Sequence, residues 1–388
     1  MRTRLWFIAF AIGFAVGPVA RACTFCGDGL ARRQPLVQHF GEARLVVYGR
    51  LKNPRPAADG LGGTTELHVE TILKAEKGLD GTRLIVIPRY IPVIGDTPAE
   101  YLLFCTVTDG KLDPVHGVPA GRAAATYLAA AARLDRADPA KALGFFFRHL
   151  DAAEPAVSDD AFLEFARATD RDIQKAARAL DRSKIRAWLV DPKTPEERLG
   201  VYGMTLGLCG TRDDAAWLGR ELGRDPLPDR YAAALGGLTA GLTLLDPPAG
   251  WAVIETVLTA RTRSFTEKLS VIGTLRYLHA TRWAESKDRV LKCYATLIRS
   301  GDFADLATED LRRWACWDLT PTILDQFDRP THRAPAVRRG TVRYALACPD
   351  AAAREFVASV RGRDPELVRK VEESNKLYEA PPVQPGKR

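Results

Sequence analysis

Apolar and polar residues follow two different periods along this chain, and the change falls near residue 119. Before it, the alternation is that of strands. Residues 43–51 are rich in β-branched and apolar side chains and partly alternate. Residues 66–73 alternate more cleanly, with Leu67, Val69 and Ile72 on one face and a slip near Thr71 that predicts a bulge. Residues 84–87 form a short continuous apolar run, as in a buried strand. Residues 101–107 form another strand, and Asp109-Gly110 after them is a hairpin turn signal. Pro54, Pro56, Gly60, Gly62 and Gly63 predict a loop between the first two strands. Four or five strands in about 75 residues predict a small barrel.

From Pro119 the spacing becomes helical. Residues 119–142 contain 11 alanines, the strongest helix former. Leu199, Tyr202, Leu206 and Cys209 share a helical face, as do Val290, Tyr294, Leu297 and Ile298, and again Val337, Thr341, Tyr344 and Cys348. Short breakers separate the segments, among them Asp191-Pro192, Cys209-Gly210, Asp225-Pro226, Asp246-Pro247-Pro248, Arg329-Pro330 and Cys348-Pro349. Three helix openings, at 194–199, 265–269 and 334–338, place Arg198, Lys268 and Arg338 70 residues apart, twice. Two helix pairs of roughly 35–40 residues would give that period, which predicts a stack of pairs similar to degenerate HEAT-like repeats.

The first 22 residues have the pattern of an export signal. Arg2 and Arg4 precede an apolar stretch, and Ala20-Arg21-Ala22 supplies a small-x-small cleavage pattern. The apolar stretch is shorter than the roughly 20 residues of a bilayer span. Cleavage would leave Cys23 at the mature end, in an oxidising compartment, periplasmic or secreted. Lipidation of Cys23 is the alternative. Residues 379–388, with Pro381, Pro382 and Pro385, are expected to be a disordered tail.

Composition narrows the classes further. The chain has 388 residues, 46% hydrophobic and 27% charged, an ordinary globular balance. The formal charge of +8 would fall to +5 on loss of Arg2, Arg4 and Arg21, which does not by itself argue for nucleic acid. Seven cysteines are too few for a disulfide-built scaffold.

The strand module resembles the netrin-like domain, the OB-type barrel of tissue inhibitors of metalloproteinases. The resemblance rests on a mature start at Cys23-Thr24, on residues 43–50 as first long strand, on 69–74 with Lys77-Gly78 as the second, and on 100–104 with Asp109-Gly110-Lys111 as the fourth. It covers about 95 residues. It implies an OB-like barrel, and a mature end at which the Cys23 amine and carbonyl chelate an enzyme's zinc while Thr24 enters the adjoining pocket. The chain departs from that family in its Cys23-x-x-Cys26 spacing and in having only Cys23, Cys26 and Cys105 in the module. The whole order of modules is also similar to that of a group of exported bacterial proteins, a likeness that adds no activity.

Few residues carry chemistry. Gly27 after Cys23-x-x-Cys26 excludes a c-type haem site, and the motif lies ahead of any strand, unlike a thioredoxin-type centre. Cys105, His39, His68 and His116 lack paired metal-ligand spacing. A structural disulfide from Cys105 to Cys23 or Cys26 is expected instead, closing a loop of about 80 residues. Cys209, Cys293, Cys316 and Cys348 are expected to be buried thiols. Arg312, Arg313, Trp314 and Trp317 form a candidate binding surface, since Arg and Trp are enriched at interface hot spots; two core tryptophans on one helix face is the simpler account. No GxSxG, HExxH, P-loop or GxGxxG fingerprint occurs.

The sequence therefore predicts an α+β chain. A signal occupies residues 1–22, an OB-like barrel 23–118, an all-α HEAT-like repeat domain 119–378, and a tail the rest. The expected function is an exported, non-catalytic binding or scaffold protein with an unknown protein partner, no cofactor, no nucleic acid, and no membrane span after cleavage. The alternative is a metallopeptidase inhibitor or modulator acting through Cys23-Thr24.

Overall fold

The computed structural model describes residues 24–25, 33–58, 62–93 and 99–379. The export signal, Cys23, Cys26 and the tail beyond Glu379 lie outside the described residues. The chain forms two compact units, residues 1–173 and 174–388.

In the first unit, α1 (Leu36–Glu42) precedes five strands: β1 (Leu45–Pro56), β2 (Gly63–Ala75), β3 (Leu84–Ile87), β4 (Glu100–Thr108) and β5 (Lys111–Pro119). Helices α2 (Arg122–Ala131), α3 (Pro139–Phe147), α4 (Pro155–Arg167) and the start of α5 (Asp170–Ala177) complete it. All strand pairings are antiparallel, in the order β3-β2-β1-β4-β5. The bulge expected near Thr71 is present: the β1–β2 register shifts on both sides of the Tyr48–Thr71 pair. The loop expected from Pro54 is not. Strand β1 runs through Pro54 and Pro56, and the turn follows them.

The sheet is open, not the closed barrel that the strand count predicted. Closure requires the two edges to pair. Here β3 has only four residues, and β5 carries Pro114, which has no N–H to donate. One face of the sheet buries Leu45, Val47, Leu51, Leu67, Ile85 and Leu103 in a single cluster. The other buries Val46, Tyr48, Leu102 and Phe104. Helix α1 sets His39 against Phe104, and α2 sets Arg122 over the Tyr48 ring. The sheet is thus a middle layer with two dry faces, which its near-continuous apolar runs require.

Strand gives way to helix at Pro119, as the pattern predicted, yet the compact unit continues to Ile173. The reason is polar. Helix α2 begins at Gly121, which has no side chain to cap it. The Glu154 carboxylate, just ahead of α4, accepts from the Gly121 and Ala124 N–H groups instead. Asp160, in α4, accepts from the Leu36 N–H at 2.6 Å and from the Tyr127 hydroxyl at 2.8 Å. The helices after the sheet therefore complete backbone groups before it and beside it.

Asp160 is 5% exposed, and burial pushes its carboxyl up to about 6, against the two hydrogen bonds that favour the anion. A carboxyl whose folded pKa lies above its unfolded value stabilises the fold more as pH falls. The stabilisation is complete below about 4 and is lost as pH rises through about 6. Asp160→Asn keeps an acceptor for Leu36 and a donor for Tyr127 without the charge. Melting curves should show the variant about 2 kcal/mol more stable than the parent at pH 8 and equal to it near pH 4. Parallel curves at the two pH values would contradict this.

In the second unit, α6 (Arg182–Val190) leads into a series of helix pairs. The first members are α7 (Glu196–Cys209), α10 (Leu235–Leu245), the first part of α12 (Phe265–Ser300), α13 (Ala304–Arg313), α15 (Pro335–Ala347) and α17 (Pro365–Glu379). The second members are α8 (Arg212–Leu222), α11 (Pro247–Thr259), the last part of α12, α14 (Thr320–Asp325) and α16 (Ala351–Arg363); α9 (Asp229–Ala232) is a single turn. Each first helix packs on the first helix of the next pair, and each second helix on the next second helix. The unit is therefore two parallel layers of helices. First helices begin at 196, 235, 265, 304, 335 and 365, so the steps are 30 to 39 residues. Arg198, Lys268 and Arg338 fall in α7, α12 and α15, first helices of alternate pairs.

Helix α12 has no turn between its halves. Arg282, at φ −139° and ψ 29°, breaks the ladder and divides it into 265–281 and 283–300. At the centre of the unit, α7 and α10 are buried nearly all round and cross at backbone distance. Gly200, Gly203 and Gly207 of α7 face Gly237 and Gly241 of α10, with no room for a methyl group between them.

Candidate functional site

The candidate surface in the second unit is built at the kink of α12 and the end of α13. Helix α13 stops at Arg313, Trp314 follows it, and Ala315 takes φ +50°. That left-handed residue turns the chain sharply. Trp314 and Trp317 therefore do not share a helix face, contrary to the simpler account of their spacing. Trp317 packs edge-on against Tyr344, ring centroids 5.1 Å apart. Trp314 lies flat on His279, centroids 3.8 Å apart and planes 7° from parallel. Trp283 closes the group edge-on, 6.2 Å from Trp314 and 4.8 Å from His279. His279, Trp283 and Trp314 are each half-buried, so the ring group reaches the surface.

The group stands on a buried polar floor. Tyr294, tilted against Trp314 at 5.1 Å, donates its hydroxyl to Asp310 at 2.9 Å. Arg276 donates its Nε to the same Asp310 oxygen at 2.7 Å. Burial and the Asp310 anion hold the Tyr294 hydroxyl far above the usual phenol range. Arg312 and Arg313 both donate to Glu309. Burial raises the Glu309 carboxyl, but the two arginines outweigh it and keep it below the ordinary carboxylate range. The Arg313 side chain remains 52% exposed beside the rings. On the next turn of α12, Lys287 pairs with Asp318 at 2.9 Å.

Of the four residues singled out in the sequence, Arg312, Arg313 and Trp314 come together and Trp317 does not. The pattern missed His279 and Trp283. Their i,i+4 spacing was legible, but what they meet is fixed by the kink. The arrangement offers planar apolar faces with a cationic rim on a rigid floor. Such a surface binds side chains by stacking and ion pairing.

In the first unit, Thr24 donates its N–H and its hydroxyl to the buried Asp170 carboxylate, at 3.2 and 2.6 Å. A wedge that enters a partner's pocket needs those donors released. Cys105 carries a free thiol, fully buried in the sheet core and pushed up to about 12 by burial. The cysteines expected to pair with it, Cys23 and Cys26, lie outside the described residues. Cys293, Cys316 and Cys348 are buried free thiols, and Cys209 is half-buried. His39 and His116 stack at 3.9 Å, and burial lowers both below the ordinary histidine range. No group of three or more His, Cys, Asp or Glu among the described residues could hold a metal ion. A groove of about 420 Å³ between the sheet and α2 is lined by Tyr48, Leu73, Arg122, Ala129 and Arg133. No described helix is long and apolar enough to cross a membrane. Comparisons with protein-family models, curated proteins and solved structures give no match, so the surface is read from its own geometry.

Proposed function

We propose that this chain is an exported, non-catalytic binding protein whose helical unit engages a protein partner. The observation that carries the reading is the half-buried stack of His279 and Trp314 with Trp283, rimmed by Arg313. Large planar rings and arginine on a rigid base are the chemistry of interface hot spots. The parallel layers of helix pairs support a HEAT-like solenoid, an architecture whose repeated turns present extended binding surfaces.

A photo-crosslinking residue at position 313, in the full chain expressed in its own host, tests the reading. A defined protein adduct is expected, and Trp283→Ala or Trp314→Ala should abolish it, since a hot-spot truncation costs about 2 kcal/mol or more, roughly thirtyfold in affinity. An adduct that survives both alanines, or appears equally with the crosslinker on the exposed face of α16, would refute the assignment.

A further inference from the structure

The first unit carries a second feature, independent of the helical surface. Strand β3 is an outer strand of the sheet. The Val69 N–H donates to the Arg83 carbonyl at 2.9 Å, so residues 83, 85 and 87 turn their backbone groups toward β2. The alternation of an antiparallel ladder then directs the N–H and C=O groups of Leu84 and Val86 away from it. Their side chains are 49% and 54% exposed, while Ile85 and Ile87 are buried in the core.

Natural edges are blunted by charge, proline or bulges. The opposite edge strand, β5, is protected in this way by Lys111, Asp113, Pro114 and a register shift. Within its four residues β3 has no such device. It is instead bracketed by two exposed cations, Arg83 before it and Arg89 after it. Neither forms an ion pair among the described residues, although most arginines of this unit do.

We propose that the free edge of β3 is a strand-addition site for an extended partner segment with alternating apolar residues and a carboxylate at each end. Main-chain pairing to Leu84 and Val86 would supply the bonding, and the two arginines would select the acidic flanks. Six residue steps separate Arg83 from Arg89, about 20 Å of extended chain. The matching carboxylates therefore also stand six positions apart.

The probe is the peptide acetyl-Glu-Val-Thr-Val-Thr-Val-Glu-amide, with its Lys-flanked counterpart as control, added to the full chain. Hydrogen exchange should slow at the Leu84 and Val86 amides with the acidic peptide only. Val86→Pro removes one edge-facing N–H and leaves the β2 ladder untouched; it should weaken binding about tenfold or more. Val86→Lys alters only an exposed side chain and should do the same, so the test survives if the proline variant fails to fold. Arg83→Glu with Arg89→Glu should reverse the preference between the two peptides. No protection at Leu84 and Val86, or undiminished binding to Val86→Lys, would overturn the proposal. So would concentration-dependent self-association abolished by Val86→Lys, which would place a second copy on the edge.

Discussion

Alanine at position 237 is expected to disrupt the centre of the helical unit. A Cβ there would lie 2.0 Å from the Gly200 carbonyl oxygen and 2.4 Å from its carbon. At position 241 it would lie 2.1 Å from the Gly203 oxygen. Overpacking a core costs roughly 1–3 kcal/mol when side chains can shift. Here the obstacle is backbone on both sides, and neither helix can move without opening the surfaces it buries. Gly237→Ala should therefore cost about 4 kcal/mol in chemical denaturation, and Gly241→Ala a comparable amount. Gly219 in α8 is the control. Nothing lies within 4 Å of its would-be Cβ, so alanine there should stabilise by about 0.5–1 kcal/mol through helix propensity. Equal effects at positions 219 and 237 would mean that the crossing of α7 and α10 is not as close as described.

Those glycines also mark where sequence reading stops. Spaced glycines inside α7 weaken a helix by propensity, and only the partner helix explains them. The strands of the first unit were legible because alternation and a hairpin turn are local properties. So was the bulge at Thr71. Closure into a barrel was not local: it depended on whether β3 and β5 meet, and no periodicity encodes that. The change at Pro119 was legible as chemistry but misled as a boundary, because Glu154 and Asp160 reach back to cap α2 and α1. In the helical unit the 70-residue spacing of Arg198, Lys268 and Arg338 found the pairs. The break at Arg282 had no glycine or proline to announce it. It nevertheless decides the candidate surface, since it turns His279 and Trp283 toward Trp314. Trp317 was grouped with Trp314 by spacing alone, and the left-handed Ala315 separates them.

The same surface depends on the ion pair beneath it, and Arg276→Met is expected to cost about 3 kcal/mol. Asp310 is 3% exposed, and its Oδ2 accepts from both Arg276 Nε and the Tyr294 hydroxyl. Burial opposes the charged Arg276 side chain, but Asp310 outweighs it and raises the guanidinium above its ordinary range. Removing the arginine leaves a carboxylate in the interior with one neutral donor. Methionine fills much of the same volume, so the loss is chiefly electrostatic. Two further measurements separate this from lost packing. Asp310→Asn added to Arg276→Met should recover most of the stability, because the amide still accepts from Tyr294 and leaves no charge unpaired. The deficit of Arg276→Met alone should also shrink as pH falls. Without its partner the Asp310 carboxyl rises above its unfolded value, and a raised carboxyl gives its stabilisation on the acid side of that value. A deficit that is unchanged at pH 4, or that the asparagine does not relieve, would assign the loss to packing and detach the ring surface from the charge below it.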